Sequence, residues 1–92
     1  MLLPARMAVL NRLSKVESAS IEQMMEALRP EYGHEKQFNY NDYLEHMMAL
    51  EANGYATLKK YEVDGNGKII LFYGITEDGK VSVEKYVPAQ YR

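Results

Sequence analysis

His34 and His46 each adjoin a glutamate, in the pairs His34-Glu35 and Glu45-His46. These are the residue types of general acid–base and metal-ligand chemistry. Neither histidine has a second one four residues away, the spacing that sets two imidazoles on one helix face for zinc. Asp64-Gly65-Asn66-Gly67 offers oxygens but lacks the ligand positions and the terminal glutamate of a calcium loop. No serine, lysine or carboxylate pair stands in a known nucleophile context. The absence of cysteine removes thiolate metal sites and disulfides. The residues assign no enzymatic role and no cofactor.

The charges offer a second kind of chemistry. A net charge of −2 gives no global field toward nucleic acid or anionic lipid. Binding to a phosphate backbone would need a local basic patch. The cations available are Arg6 and Arg12, then Arg29 and Lys36, then Lys59, Lys60 and Lys68. They form such a patch if the fold gathers them, and are solvated surface charges if it does not. The pairs Met24-Met25 and Met47-Met48 could line an adaptable apolar pocket, but they fall on the inward arcs of their segments and read as core. Among the tyrosines, Tyr40, Tyr43 and Tyr55 read as core, and Tyr61, Tyr73, Tyr86 and Tyr91 as interface.

The elements that must position these residues follow from periodicity. A chain of 92 residues fits one domain spanning 1–92, and 47% hydrophobic with 26% charged residues is a folding composition. Its opening, MLLPARMAVLNRL, is too short and too polar for a membrane span or a signal segment, so the expectation is a cytoplasmic protein. Pro4 suits a first helical turn, and the helical pattern runs to about Val16. Its apolar arc of Leu2, Leu3, Met7, Val9, Leu10, Leu13 and Val16 is wide enough to meet two neighbours. Ser20 and Gln23 form a capping-box pattern for a second helix from near Ile21. Ile21, Met24, Met25 and Leu28 make one apolar stripe, and Pro30 is expected to stop that helix at about Arg29.

After a polar loop from Pro30 to Asn39, Asn39 or Asn41 can cap a third helix that runs to Asn53, with Gly54 as its left-handed terminator. Tyr40, Tyr43, Leu44, Met47, Met48 and Leu50 form its apolar arc. Asn41, Asp42, Glu45, His46, Ala49, Ala52 and Asn53 form an acidic, polar one.

Ala56 to Val63 and Lys68 to Ile75 are β-prone runs around Asp-Gly-Asn-Gly, a hairpin pattern. A turn of two or four residues would place Tyr61 and Val63 on one face with Ile70 and Phe72. Leu58, Ile69, Leu71, Tyr73 and Ile75 would share the other with Lys60 and Glu62. Both faces are substantially apolar, so one awaits a partner. In the segment that follows, Asp78-Gly79 could turn a third strand, to which the β-propensity of KVSVEKYV points, or Thr76 could cap a helix.

Leu50, Gly54 and Tyr55 at the end of the third helix, then Ile75, Thr76, Glu77, Gly79 and Val83, resemble a phrase of winged helix-turn-helix regulators of the PadR-like and MarR-like kind. The resemblance implies an α+β fold: a small winged-helix domain with a three-helix bundle, a two-stranded β-hairpin wing and a C-terminal helix to about Val87. It implies double-stranded DNA as partner, with Asn41, Asp42, Glu45 and His46 on the third helix toward the major groove. Lys59, Lys60 and Lys68 would lie on the wing, with Arg12 and Lys36 as further cations. It also implies a terminal helix that pairs subunits; with the broad apolar arc of the first helix and the two-sided hairpin, the expectation is a homodimer, with Leu3, Leu10, Tyr73 and Tyr86 as candidate contacts. Two features depart from the pattern. The connection before the third helix is about ten residues where three or four are usual, and no Lys or Arg occurs between Lys36 and Lys59. The second departure keeps an alternative open: a partner protein docking on the acidic third helix, without DNA.

Overall fold

A computed structural model describes residues 2–92. The elements run α1 (Ala5–Leu13), β1 (Ala19–Ser20), α2 (Ile21–Tyr32), α3 (Tyr40–Ala52), β2 (Ala56–Val63), β3 (Ile69–Ile75) and α4 (Glu77–Tyr86), with a closing 3-10 turn, Ala89–Tyr91. Three helices, an antiparallel hairpin wing and a C-terminal helix make the expected α+β winged-helix arrangement. Among the described residues no helix is long and apolar enough to cross a membrane.

The local signals explain most boundaries. The Ser20 side chain accepts from Gln23 N–H while the Gln23 side chain accepts from Ser20 N–H, a complete capping box. Asn39, rather than Asn41, caps α3 by accepting from Asp42 N–H at 2.9 Å. Gly54 follows that helix at φ +80°, where a Cβ would be strained.

Four local expectations need correction. Pro4 sits outside α1 in an extended conformation, and α1 closes at Leu13 rather than Val16. Pro30 does not stop α2, which continues to Tyr32 because the bond a proline forfeits falls in the last turn, and Gly33 N–H still reaches Arg29 C=O at 2.9 Å. The loop before α3 therefore shortens to residues 33–39. Met48 is not core: it is 54% exposed, whereas Met47 is fully buried.

The core lies where α1, α2 and α3 meet the root of the hairpin. Val9, Leu10, Leu13, Met24, Tyr43 and Met47 are its most enclosed side chains, joined by Ala56, Tyr73, Val83 and Val87. α1 touches α2, α3, β3 and α4, which accounts for its wide apolar arc.

The sheet has the order β1-β3-β2 and its two-residue β1 was not anticipated. The wing register also differs from expectation. Asp64 N–H bonds Lys68 C=O at 2.9 Å, and Gly67 adopts φ +80°. The turn between them has three residues and ends in a left-handed glycine, a G1-bulge turn of odd length. Odd length inverts the parity, so Val63 faces Ile69 and Tyr61 faces Leu71, while Lys60 and Glu62 share a face with Phe72 and Ile70. A bulge at Lys59 then sets Leu58 opposite Tyr73.

Residues 77–86 form a helix in spite of their β-propensity. Thr76 Oγ1 accepts from Gly79 N–H at 3.0 Å and donates to Gly54 C=O at 2.6 Å, while Thr76 N–H reaches Tyr55 C=O at 3.0 Å. Gly79 packs so closely that a Cβ there would collide with the Tyr55 carbonyl. Gly79, Ser82, Val83 and Val87 then turn inward at helical spacing.

Candidate nucleic-acid interface

α3 presents a polar, acidic outer surface. Asn41, Glu45, Met48, Glu51 and Ala52 are exposed, and Asp42, His46 and Ala49 are half-buried beside them. Asp42 is partly engaged: its Oδ2 accepts from the Asn39 amide at 2.9 Å, closing the cap from both sides. Asn53 turns back to the Ala49 carbonyl. The polar groups on this helix without such an engagement are therefore Asn41, Glu45 and Glu51, with His46 on the flank.

The flank carries a positive charge from another element. Arg6 on α1 donates through Nε to His46 Nδ1 at 3.2 Å. That bond requires an unprotonated Nδ1. Burial, and after it the Arg6 charge, holds His46 below its ordinary pKa of 6.5 against the opposing pull of Asp42 and Glu45. The guanidinium stays exposed and supplies α3 with a cation its own sequence lacks. Sequence periodicity gave no sign of this contact, because it joins residues 40 positions apart.

The wing cations separate into two groups. Lys59 and Lys60 line a shallow cleft of about 280 Å³ with Glu17 and Ser18. The Lys59 stem lies against Gly74, where a Cβ would leave it no room. Lys60 Nζ sits 4.8 Å from the centre of the Phe72 ring and 3.4 Å from Glu62. Lys68, at the turn, bonds Glu22 Oε2 at 3.0 Å and lies 5.7 Å from the Tyr40 ring. The same bond holds the Glu22 carboxyl below the ordinary carboxylate range and pushes the Lys68 ammonium up. Glu22 and Tyr40 were not anticipated as partners of the wing.

The remaining candidates do not join these groups. Arg12 lines a separate depression with Leu28, Glu31, Tyr32 and Tyr91. Lys36 is exposed in the loop before α3. Of the four interface candidates, Leu10 and Tyr73 are corrected by their burial: both are consumed by the subunit's own core at 0% and 4% exposure. Leu3 is half-buried, and its carbonyl accepts from the Tyr32 hydroxyl at 2.6 Å. Tyr86 is exposed, as is Val81 five residues earlier on α4. An apolar groove of about 220 Å³ runs between Pro4, Met7 and Leu10 of the α1 region, Leu50 and Tyr55, and Ser82 of α4.

No protein-family profile matches the sequence, and no curated protein matches it. Solved structures do. Bacillus subtilis PadR, crystallised in complex with operator DNA, superposes with a TM-score of 0.73 at 18% identity, over 89% of this chain and 45% of that one. A candidate transcriptional regulator from Thermoplasma acidophilum superposes with a TM-score of 0.75 at 16% identity, over 94% of this chain and 77% of that one. The chain thus spans less than half the length of PadR. Its fold is the PadR-like winged helix, with an antiparallel hairpin wing and a C-terminal helix.

Proposed function

We propose that this chain is a winged-helix DNA-binding module of the transcription-regulator kind, whose hold on duplex comes from cations outside its third helix. The observation that carries the reading is the likeness to PadR, a protein crystallised on operator DNA, over nearly the whole of this chain. Arg6 beside α3 and the wing lysines Lys59 and Lys60 are the groups that neutralise phosphate, and Lys68 joins them only when its pair with Glu22 opens. Asn41 and Glu45 are the side chains free to meet base edges, Glu45 as an acceptor for cytosine N4. The exposed Val81 and Tyr86 of α4, continuous with the groove beside α1, are the surface proposed to pair two subunits. Anisotropy of a labelled random duplex, titrated at low and moderate salt, tests DNA binding.

A second reading rests on the unbroken acidity of α3, which has Asp42, Glu45 and Glu51 and no basic residue. A like-charged helix repels a phosphate backbone. In that reading the face of Asp42, Glu45 and His46 receives a basic protein segment, and duplex binding is absent.

A further inference from the structure

We propose that the outer edge of β2 is a contact surface for a second copy of this chain, which lays its own β2 antiparallel about a two-fold axis at Tyr61. The order β1-β3-β2 leaves β2 with one unpaired edge, and every residue of the strand beyond Ala56 is exposed. The ladder determines which backbone groups reach that edge. Because Asp64 pairs with Lys68 through the backbone, alternation along the antiparallel pair turns N–H and C=O of Glu62 and Lys60 toward β3. Those of Val63 and Tyr61 point outward. Tyr61 and Val63 on β2, with Ile69 on β3, share one apolar face there at 65%, 60% and 59% exposure. Unpaired backbone groups flanked by apolar side chains are a template for another strand.

The order of charges selects the occupant. Lys60 and Glu62 occupy the opposite face and pair within the chain at 3.4 Å. When Tyr61 lies opposite Tyr61 of a second copy, Lys60 lies opposite the copy's Glu62, and Glu62 opposite its Lys60. Opposite charges directly across strands stabilise a pair and like charges destabilise it. A self-complementary patch is what an isologous two-fold contact requires. In the same register Tyr61 meets Tyr61 through its outward N–H and C=O, so backbone and charge patterns agree. The bulge at Lys59, the residue that Val63 would meet in this register, interrupts the strand and confines pairing to Lys60, Tyr61 and Glu62. The association is therefore weak and concentration-dependent. It is distinct from the proposed α4 contact and does not depend on DNA binding.

The chain holds no cysteine, so single cysteines report this register directly. Tyr61→Cys sets two thiols on residues about 5.5 Å apart at Cα, within disulfide reach. Under mild oxidation Tyr61→Cys is expected to give a disulfide-linked dimer. A mixture of Lys60→Cys and Glu62→Cys should cross-link several-fold more than either variant alone. Equal cross-linking of Lys60→Cys, Tyr61→Cys and Glu62→Cys alone, or none from Tyr61→Cys, would overturn the proposal. Sedimentation equilibrium of the Tyr86→Glu background gives an independent readout. There Lys60→Glu should raise the dimer dissociation constant roughly tenfold, and Lys60→Glu with Glu62→Lys should restore it. A double variant as weak as the single one contradicts the register.

Discussion

Lys68 in the wing turn and Glu22 in the first turn of α2 form a 3.0 Å ion pair across 46 positions of sequence, with the same ammonium against the Tyr40 ring at the start of α3. One contact thus ties the hairpin turn to the N-terminal ends of two helices. Both side chains are about half exposed, and exposed pairs add little to stability. Glu22→Gln should leave the melting temperature nearly unchanged. It should free Lys68 for a phosphate, so that the slope of log affinity against log salt steepens by about 0.9. Anisotropy titrations across a salt series measure this.

Lys59→Ala and Lys60→Ala should each make that slope shallower by about 0.9 where the ammonium meets a phosphate. Arg12→Ala should leave it unchanged, since Arg12 borders a different depression beside Tyr32 and Tyr91. The same salt series measured on the three variants separates the wing from the Arg12 side of α1.

Acidification should weaken the fold through His46. Its pKa in the folded state lies below the ordinary 6.5, so the unfolded chain binds more protons between the two values and stability rises with pH there. The stabilisation is complete above pH 6.5 and is lost as pH falls through the folded-state value. Protonation also converts the acceptor of the Arg6 bond into a donor facing a guanidinium. Urea unfolding at pH 7.5 and at pH 5 should show a drop in the wild type that is reduced in His46→Gln. Glu22, held low by Lys68, adds its own loss only below the ordinary carboxylate value of 4.5.

Thr76→Ala removes the acceptor for Gly79 N–H and should cost about 1 kcal/mol in urea unfolding. Gly79→Ala should cost about 1–3 kcal/mol, because its Cβ must displace α4 from the Tyr55 carbonyl.

These residues also show what the sequence makes legible. Caps act within three positions, so Ser20 marks the start of α2 from letters alone and the start of α3 narrows to Asn39 or Asn41, while Thr76 is a cap only if the residues after it are helical. For residues 77–86 local propensity points to a strand, and only the resemblance points to the helix. Its physical cause is long-range: the Thr76 hydroxyl reaches Gly54, and Gly79 reaches Tyr55. The wing parity is hidden in the letters because Asp-Gly-Asn-Gly contains two dipeptides typical of even turns, whereas the Asp64–Lys68 closure selects an odd one. Met47 and Met48 are adjacent on one arc, and only packing distinguishes the buried from the exposed. The contacts Arg6–His46 and Lys68–Glu22 join residues 40 and 46 positions apart, beyond any local pattern. Leu10 and Tyr73 lie on apolar faces that suit an interface or a core equally by pattern, and the subunit's own core takes both.

The central claim, duplex binding by cations outside an acidic third helix, is tested most directly by anisotropy of a labelled random duplex with the wild type and Glu45→Lys, at low and moderate salt. The wild type is expected to bind weakly at low salt and to lose affinity steeply as salt rises. Glu45→Lys is expected to bind more tightly with a steeper slope, since it adds a cation to the exposed face of α3. No binding by the wild type at tens of micromolar protein in low salt, with binding created by Glu45→Lys alone, would contradict the claim. That result would make the acidic face of α3 a surface that excludes DNA, and Asp42, Glu45 and His46 the place to seek a protein partner.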